Sequence, residues 1–370
     1  MSRWHKKGLL VVTILLISFL AGCAYKSVDK RSFVVSVGVD PAENDDDRYK
    51  VTLKIAKPIA SLRQATETEY TYLTTEAETV SEAIRILETH NDKVVDFSQA
   101  KILAIHHELL SGDLQLLMDY FTRRGDIQLI MYVAAAKPSA EEVLKVEPIL
   151  EAAGENTLYN FFDDTGTESP FVTTSFLFEF RRDVLTFGKD AVLPIVRTSK
   201  NKDELVINTA LVIKENHEPV DLNRTQTKLY NTFMEGANGY GYQAHNSGYI
   251  FTLTFDRAKM NYKLGIVPGQ TPQADIKVKA VGAISQSNKT LSLNRLPEYS
   301  EVTNKELSKE MEKLFKKMQK EKVDPFGFGL RYRATRFHTD QIEEDWNEIY
   351  PDLVFNVQSD VKLKSLGAIK

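Results

Sequence analysis

The chain has 370 residues, 42% of them hydrophobic, and its 47 Lys and Arg against 51 Asp and Glu leave a formal charge of −4. That length holds two or three domains with cores of ordinary size, so neither disulfides nor a structural metal is needed. Mild acidity without a basic stripe argues against a nucleic-acid partner, and one cysteine excludes a disulfide framework.

The N-terminus reads first. Arg3, Lys6 and Lys7 precede an apolar run over residues 9–20, and small residues lead into Leu20-Ala21-Gly22-Cys23. A transmembrane helix needs about 20 apolar residues, and this run is shorter. The pattern is that of a secretory signal ending in a lipoprotein box. Residues 1–22 are expected to be removed, leaving Cys23 as an N-palmitoyl, S-diacylglycerol cysteine that tethers the remainder to a membrane. A thiol without a disulfide partner suits an acyl acceptor.

Residues 32–39 and 49–56 alternate as two strands around an acidic turn, a hairpin. A helix starts at Thr79, where Glu82 completes a capping box, with Val80, Ala83, Ile84 and Leu87 on one stripe. Residues 101–105 read as a buried strand, and Leu114, Leu117, Met118 and Phe121 mark a helix closed by Arg123-Arg124-Gly125. Residues 127–136 read as a strand, and Ser139 with Glu142 caps a helix over 140–146. Residues 171–182 are aromatic and fit strand or helix, and 188–196 give way to polar residues 197–204, the best candidate for a linker. A strand over 205–214, a helix over 222–234 and alternating segments at 249–255 and 276–284 follow. Thr303 and Glu306 form a capping box for a helix over 306–322, whose Leu307, Met311, Leu314, Phe315 and Met318 make one apolar stripe. Residues 354–363 alternate as a final strand. Alternating strands favour antiparallel or mixed sheets with helices packed on one face, an α+β, multidomain architecture.

Most candidate chemistry fails on spacing. His107-Glu108-Leu109-Leu110-Ser111 lacks the second histidine of a zinc-protease helix, and neighbouring His106 would face the opposite way on a strand. The carboxylates of residues 40–47 lack calcium-loop spacing and read as a solvated hairpin tip; Asp163-Asp164-Thr165-Gly166 reads as a turn. The glycines from Gly236 to Gly241 follow a helix instead of opening one, the wrong order for a phosphate cradle. No Gly-x-Ser-x-Gly elbow is present. Phe326, Phe328, Tyr332 and Phe337 interleave with Arg331, Arg333 and Arg336; on a strand Arg331 and Arg333 would share a side, facing a protein or phospholipid. No catalytic residue, metal ligand or cofactor site is assigned, and the residues read as a tethered, non-enzymatic module.

Taken in order, the chain resembles the lipoprotein C-subunit family of bacterial spore germinant receptors. The likeness is carried by Gly22-Cys23, Asp29-Lys30-Arg31, Val37-Gly38-Val39-Asp40, the segments 100–105 and 118–124, Gly188-Lys189-Asp190 with Leu193-Pro194, Asn208-Thr209-Ala210-Leu211-Val212, Asp324-Pro325-Phe326-Gly327-Phe328-Gly329, Tyr332-Arg333, Trp346 and Gly367. It departs after the cysteine, where Ala24-Tyr25 stand in place of the family's Trp-Asp. The resemblance implies a lipid-anchored protein on the outer face of the spore inner membrane, partnered by two integral membrane subunits, that serves receptor assembly or signalling in response to nutrients. It implies an N-terminal region over 23–200, dividing near 112, and a C-terminal region over 203–370. The alternative is a solute-binding lipoprotein of a membrane importer, which would need two α/β lobes with a cleft between them. A tethered hydrolase has no recognisable nucleophile or metal cluster.

Overall fold

The computed structural model describes residues 30–57, 70–147, 156–163, 169–201, 203–236, 240–246, 248–337 and 339–366. The expected signal segment, Cys23 and Gly367 lie outside them. No helix among the described residues is long and apolar enough to cross a membrane.

The first sheet has nine strands. β1 (Arg31–Pro41) pairs antiparallel with β2 (Tyr49–Ala56), and β2 with β3 (Tyr70–Ala77), as the hairpin pattern requires. On the other side of β1 the sheet turns parallel, through β5 (Ile102–His106), β6 (Tyr132–Lys137) and β7 (Ala191–Thr198), while β4 (Val94–Asp96) adds to the start of β1. β8 (Leu205–Ile213) and β9 (Val220–Leu222) then extend it antiparallel. β5 and β6 are almost wholly buried. They are short apolar runs because both of their faces are covered. α1 (Val80–Thr89), α2 (Leu114–Arg123) and α5 (Leu177–Leu185) cover Leu103, Ile105, Val133 and Ala135. α3 (Ala140–Lys145) and α4 (Thr157–Asn160) lie over Ile102, Ala104, Ala134 and Ala136.

The second sheet has four strands. β10 (Tyr240–Asn246), β11 (Tyr249–Gly265) and β12 (Gln273–Ser287) are antiparallel, and β13 (Val354–Leu363) joins β12 in parallel. The sheet packs on the 25-residue α7 (Leu296–Lys320), whose predicted stripe of Leu307, Met311, Leu314, Phe315 and Met318 is fully buried. α7 also closes both sheet edges. Asn304 Oδ1 accepts the Val361 N–H (2.7 Å) and Ser308 Oγ the Ser359 N–H (3.0 Å) on β13, while Glu306 Oε2 accepts the His245 N–H (2.7 Å) on β10. Donors that would otherwise invite a foreign strand are thereby occupied. α6 (Arg224–Tyr230), which runs into a π-helical turn at Asn231–Glu235, places Leu229, Tyr230 and Phe233 in the same core as Val192, Val212 and this second sheet. The mixed α+β architecture expected from the alternating strands is what forms, but helices cover both faces of the first sheet, because its central strands are parallel and buried on both sides.

Several local expectations differ from the structure. α7 begins at Leu296, ten residues before the expected start. Pro297 occupies its first turn, where a missing N–H costs nothing. Thr303 lies inside the helix and donates back to the Tyr299 carbonyl (2.8 Å), so the Thr303–Glu306 spacing mimics a cap. Residues 328–334 form a helix, α8 (Phe328–Ala334), so Arg331 and Arg333 share no strand face, and Arg336 lies over the Tyr332 ring at 3.9 Å. Residues 127–131 are turns ahead of β6, and the ambiguous 171–182 segment ends in α5. The polar stretch 197–204 joins two paired strands, so the first sheet continues as far as Leu222. Gly112 follows a 3-10 turn, and the strands on either side of it, β5 and β6, pair with each other.

Candidate functional site

Two glycine- and aspartate-bearing motifs, Gly188-Lys189-Asp190 and Asp324 through Gly329, meet in space although 134 residues separate their aspartates. The first lies in the loop from α5 to β7, the second between the end of α7 and α8. Their contact is a reciprocal clasp. The Asp190 N–H donates to the Asp324 carbonyl (2.9 Å), and the Asp324 N–H donates to Asp190 Oδ2 (2.5 Å). The Leu330 N–H donates to the Gly188 carbonyl (2.7 Å), and Asp324 Oδ2 accepts the Gly329 N–H (2.7 Å).

The glycines permit this approach. Gly188 has φ +90°, and a Cβ on it would stand 2.3 Å from the Gly329 carbonyl carbon. A Cβ on Gly329 would stand 2.6 Å from Trp346 Nε1. Trp346, on α9 (Ile342–Ile349), stacks between Tyr332 and Tyr350 with centroids at 5.2 and 5.3 Å. Phe326 and Phe328 sit edge-on to Phe315 of α7 at 4.7 and 5.6 Å. The Tyr350 hydroxyl donates to the Val323 carbonyl (2.8 Å), and the Tyr262 hydroxyl to that of Gly327 (2.9 Å). Lys214, after β8, donates to the Lys322 carbonyl (3.0 Å).

Beside the clasp opens a cleft of about 680 Å³ walled by Phe187, Asp190, Lys214, Glu343, Trp346 and Tyr350. Asn216 and Lys322, the non-glycine residues with positive φ among those described, also line it. Asp324 is 5% exposed, and its Oδ1 has no hydrogen-bond partner among the described residues. Burial pushes its carboxyl up to about 7, the Asp190 charge acts in the same direction, and the Gly329 N–H opposes both. Burial also raises Asp190, against the bond from the Asp324 N–H and the charge of Lys214. The arrangement therefore joins the two sheets through a backbone contact with a buried carboxyl of raised pKa at its centre.

The other sequence-derived candidates fall elsewhere. His106 ends β5 and accepts the Glu108 N–H at Nδ1 (3.3 Å), with the His107 ring 4.6 Å away. No group of three or more potential metal ligands occurs among the described residues. Asp40 is no solvated tip. It is 4% exposed and accepts the Ala140 and Glu141 N–H groups (2.6 and 2.8 Å), anchoring the α3 N-terminus beside the local cap, Ser139. Asp163 accepts the Tyr159 hydroxyl (2.8 Å), while residues 164–166 and 237–239 are not described. The Asp190–Asp324 pairing was missed by sequence reasoning; its local signal was an aspartate two to five residues from a glycine in each motif.

Comparison with known proteins follows the same two regions. The family described as “Spore germination protein N-terminal domain” matches residues 24–198, and “Spore germination B3/GerAC like, C-terminal” matches residues 208–367. The chain belongs to this spore germination family. It is 22% identical to spore germination protein GerQC of Bacillus cereus over 99% of each chain, and 21% identical to spore germination protein B3 of Bacillus subtilis (strain 168) over 97% of each. Its fold is similar to that of the GerBC protein crystal structure, with a TM-score of 0.56 at 18% identity over 88% of this chain and 97% of that one. Gly188-Lys189-Asp190 lies in the first matched region and Asp324–Gly329 in the second, so the clasp bridges them.

Proposed function

We propose that this chain is the lipoprotein subunit of a spore nutrient germinant receptor, serving receptor assembly or signalling at the start of germination. Cys23, acylated, holds it on the extracytoplasmic face of the spore inner membrane beside two integral membrane subunits. The region over 23–200 and the region over 203–370 act as one body because β8 and β9 of the second complete the sheet of the first. Its role is coupling, without catalysis. The observation that carries the reading is the family match along both regions, and the clasp gives the coupling a physical basis. A solute-binding lipoprotein is disfavoured: its second lobe would be a parallel α/β layer, whereas here the second sheet is mainly antiparallel and packed on one helix.

The test deletes the gene in a strain lacking paralogous receptors and exposes dormant spores to nutrients singly. Loss of the response to at least one nutrient is expected. Normal germination with every nutrient overturns the reading.

A further inference from the structure

We propose that the outer face of the second sheet docks on an anionic phospholipid surface. The proposal rests on the membrane tether at Cys23 for its setting, and on the sheet for its chemistry. Residues 258, 260, 262 and 264 of β11 pack toward the core, so 257, 259, 261 and 263 face out. Strand register brings Arg257, Lys259 and Lys263 together with Lys277 and Lys279 of β12 and Lys362 of β13, all exposed. Asp275 and Asp360 are the carboxylates on this grid, so its sign is opposite to that of the chain as a whole.

Lys259 stands directly across from Lys279, and Lys277 is diagonal to it. Like charges placed directly opposite destabilise a sheet unless a counter-charge covers them. None of the six cations makes an ion pair within the chain among the described residues. Asp360 stands across from Lys279 on its other side and Asp275 across from Lys263, so six cations against two carboxylates leave four positive charges unbalanced on the face, which an anionic surface would neutralise.

The kind of partner follows from what the face lacks. A protein interface is anchored by buried aromatic or large aliphatic side chains. Among the outward positions from 257 to 265, 273 to 281 and 354 to 362, Val281 and Val354 are the apolar side chains, and neither is aromatic. Arg257, Lys259, Lys279 and Lys362 rim a depression of about 430 Å³ on this face, and a field of exposed cations without an aromatic anchor fits headgroup phosphates.

The experiment uses the full lipid-modified protein with vesicles of phosphatidylcholine alone or with about 30% phosphatidylglycerol, the content at which polybasic faces respond. Flotation reports the tether; a water-soluble amine reagent, mapped by mass spectrometry, reports the face. Labelling of Lys259, Lys277 and Lys279 should fall about fivefold on anionic vesicles and recover in about 0.5 M salt, while Lys305 and Lys316 of α7 stay unchanged. Flotation on anionic vesicles alone would remove the tether but support the face. Flotation on both kinds of vesicle with unchanged labelling overturns the face and leaves the tether standing, and no flotation on either overturns both. Protection that requires the membrane subunits would assign the face to an acidic protein instead and also overturns the proposal. The wild-type comparison needs no variant; Lys259→Gln with Lys279→Gln should abolish the lipid-dependent protection of Lys277 without lowering the melting temperature.

Discussion

Asp324 is a buried carboxyl that desolvation and the Asp190 charge push toward its protonated form, against the N–H of Gly329. Its folded pKa of about 7 lies above the ordinary carboxyl value of 3.8, so the folded chain binds more protons than the unfolded chain between those two values. The sign is then fixed: this group's contribution is fully present below about pH 4 and is lost as pH rises through about 7. We expect unfolding free energy to decline by roughly 2–4 kcal/mol across that window, one pKa unit corresponding to about 1.4 kcal/mol. Asp324→Asn keeps an oxygen to accept the Gly329 N–H and cannot ionise. Denaturant titrations at a series of pH values should show the slope flattened in that variant, and an unchanged slope would assign the proton elsewhere. Gly188→Ala acts on the same clasp by shape. With φ +90° and a Cβ 2.3 Å from the facing backbone, it should lose about 2–5 kcal/mol from backbone strain and overpacking together, read as a lower thermal midpoint.

At the scale of elements, α7 is both core and edge guard. Asn304→Ala leaves the buried Val361 N–H without its acceptor, a loss of about 1–3 kcal/mol. Hydrogen exchange should become faster at Val361 while β12 stays protected; uniform protection would show that the contact is dispensable. Elements whose signals are local were legible from sequence. Thr79 and Ser139 cap their helices through the N–H groups of Glu82 and Glu142, three residues on, and the stripe from Leu307 to Met318 faces the core as its spacing requires. The errors arose where the deciding partner lies far along the chain or where a local pattern had another use. Thr303 and Glu306 have capping-box spacing, yet one bonds within the helix and the other reaches β10. Asp40 looks like part of an acidic turn because its partners, Ala140 and Glu141, are a hundred residues away.

For the whole molecule, the family was legible because ordered fragments survive along the chain. The meeting of the two aspartate motifs was not, since each carries only the local signature of a glycine turn and no periodicity encodes their approach. The proposed tether belongs to this scale too. Cys23→Ala removes the acyl acceptor implied by the Leu20-Ala21-Gly22 box, and fractionation of spores should find the inner-membrane pool reduced about tenfold or more, as expected when acyl chains are lost. Retention at the wild-type level would mean that something other than acyl chains on Cys23 holds the chain.

The antiparallel extension of the first sheet past residue 198 has a consequence for the chain as it is synthesised. A chain is made N-terminus first, so β7 is complete before β8, its hydrogen-bonding neighbour, and before β9, which pairs with β8. Until Leu205–Ile213 arrives, a run of unsatisfied strand donors and acceptors faces a crowded compartment, an invitation to mispairing. The Gly188 loop waits longer still, for Leu330. A chain interrupted after the first matched region would therefore be arrested in a sticky state, an interval that recurs each time the protein is made.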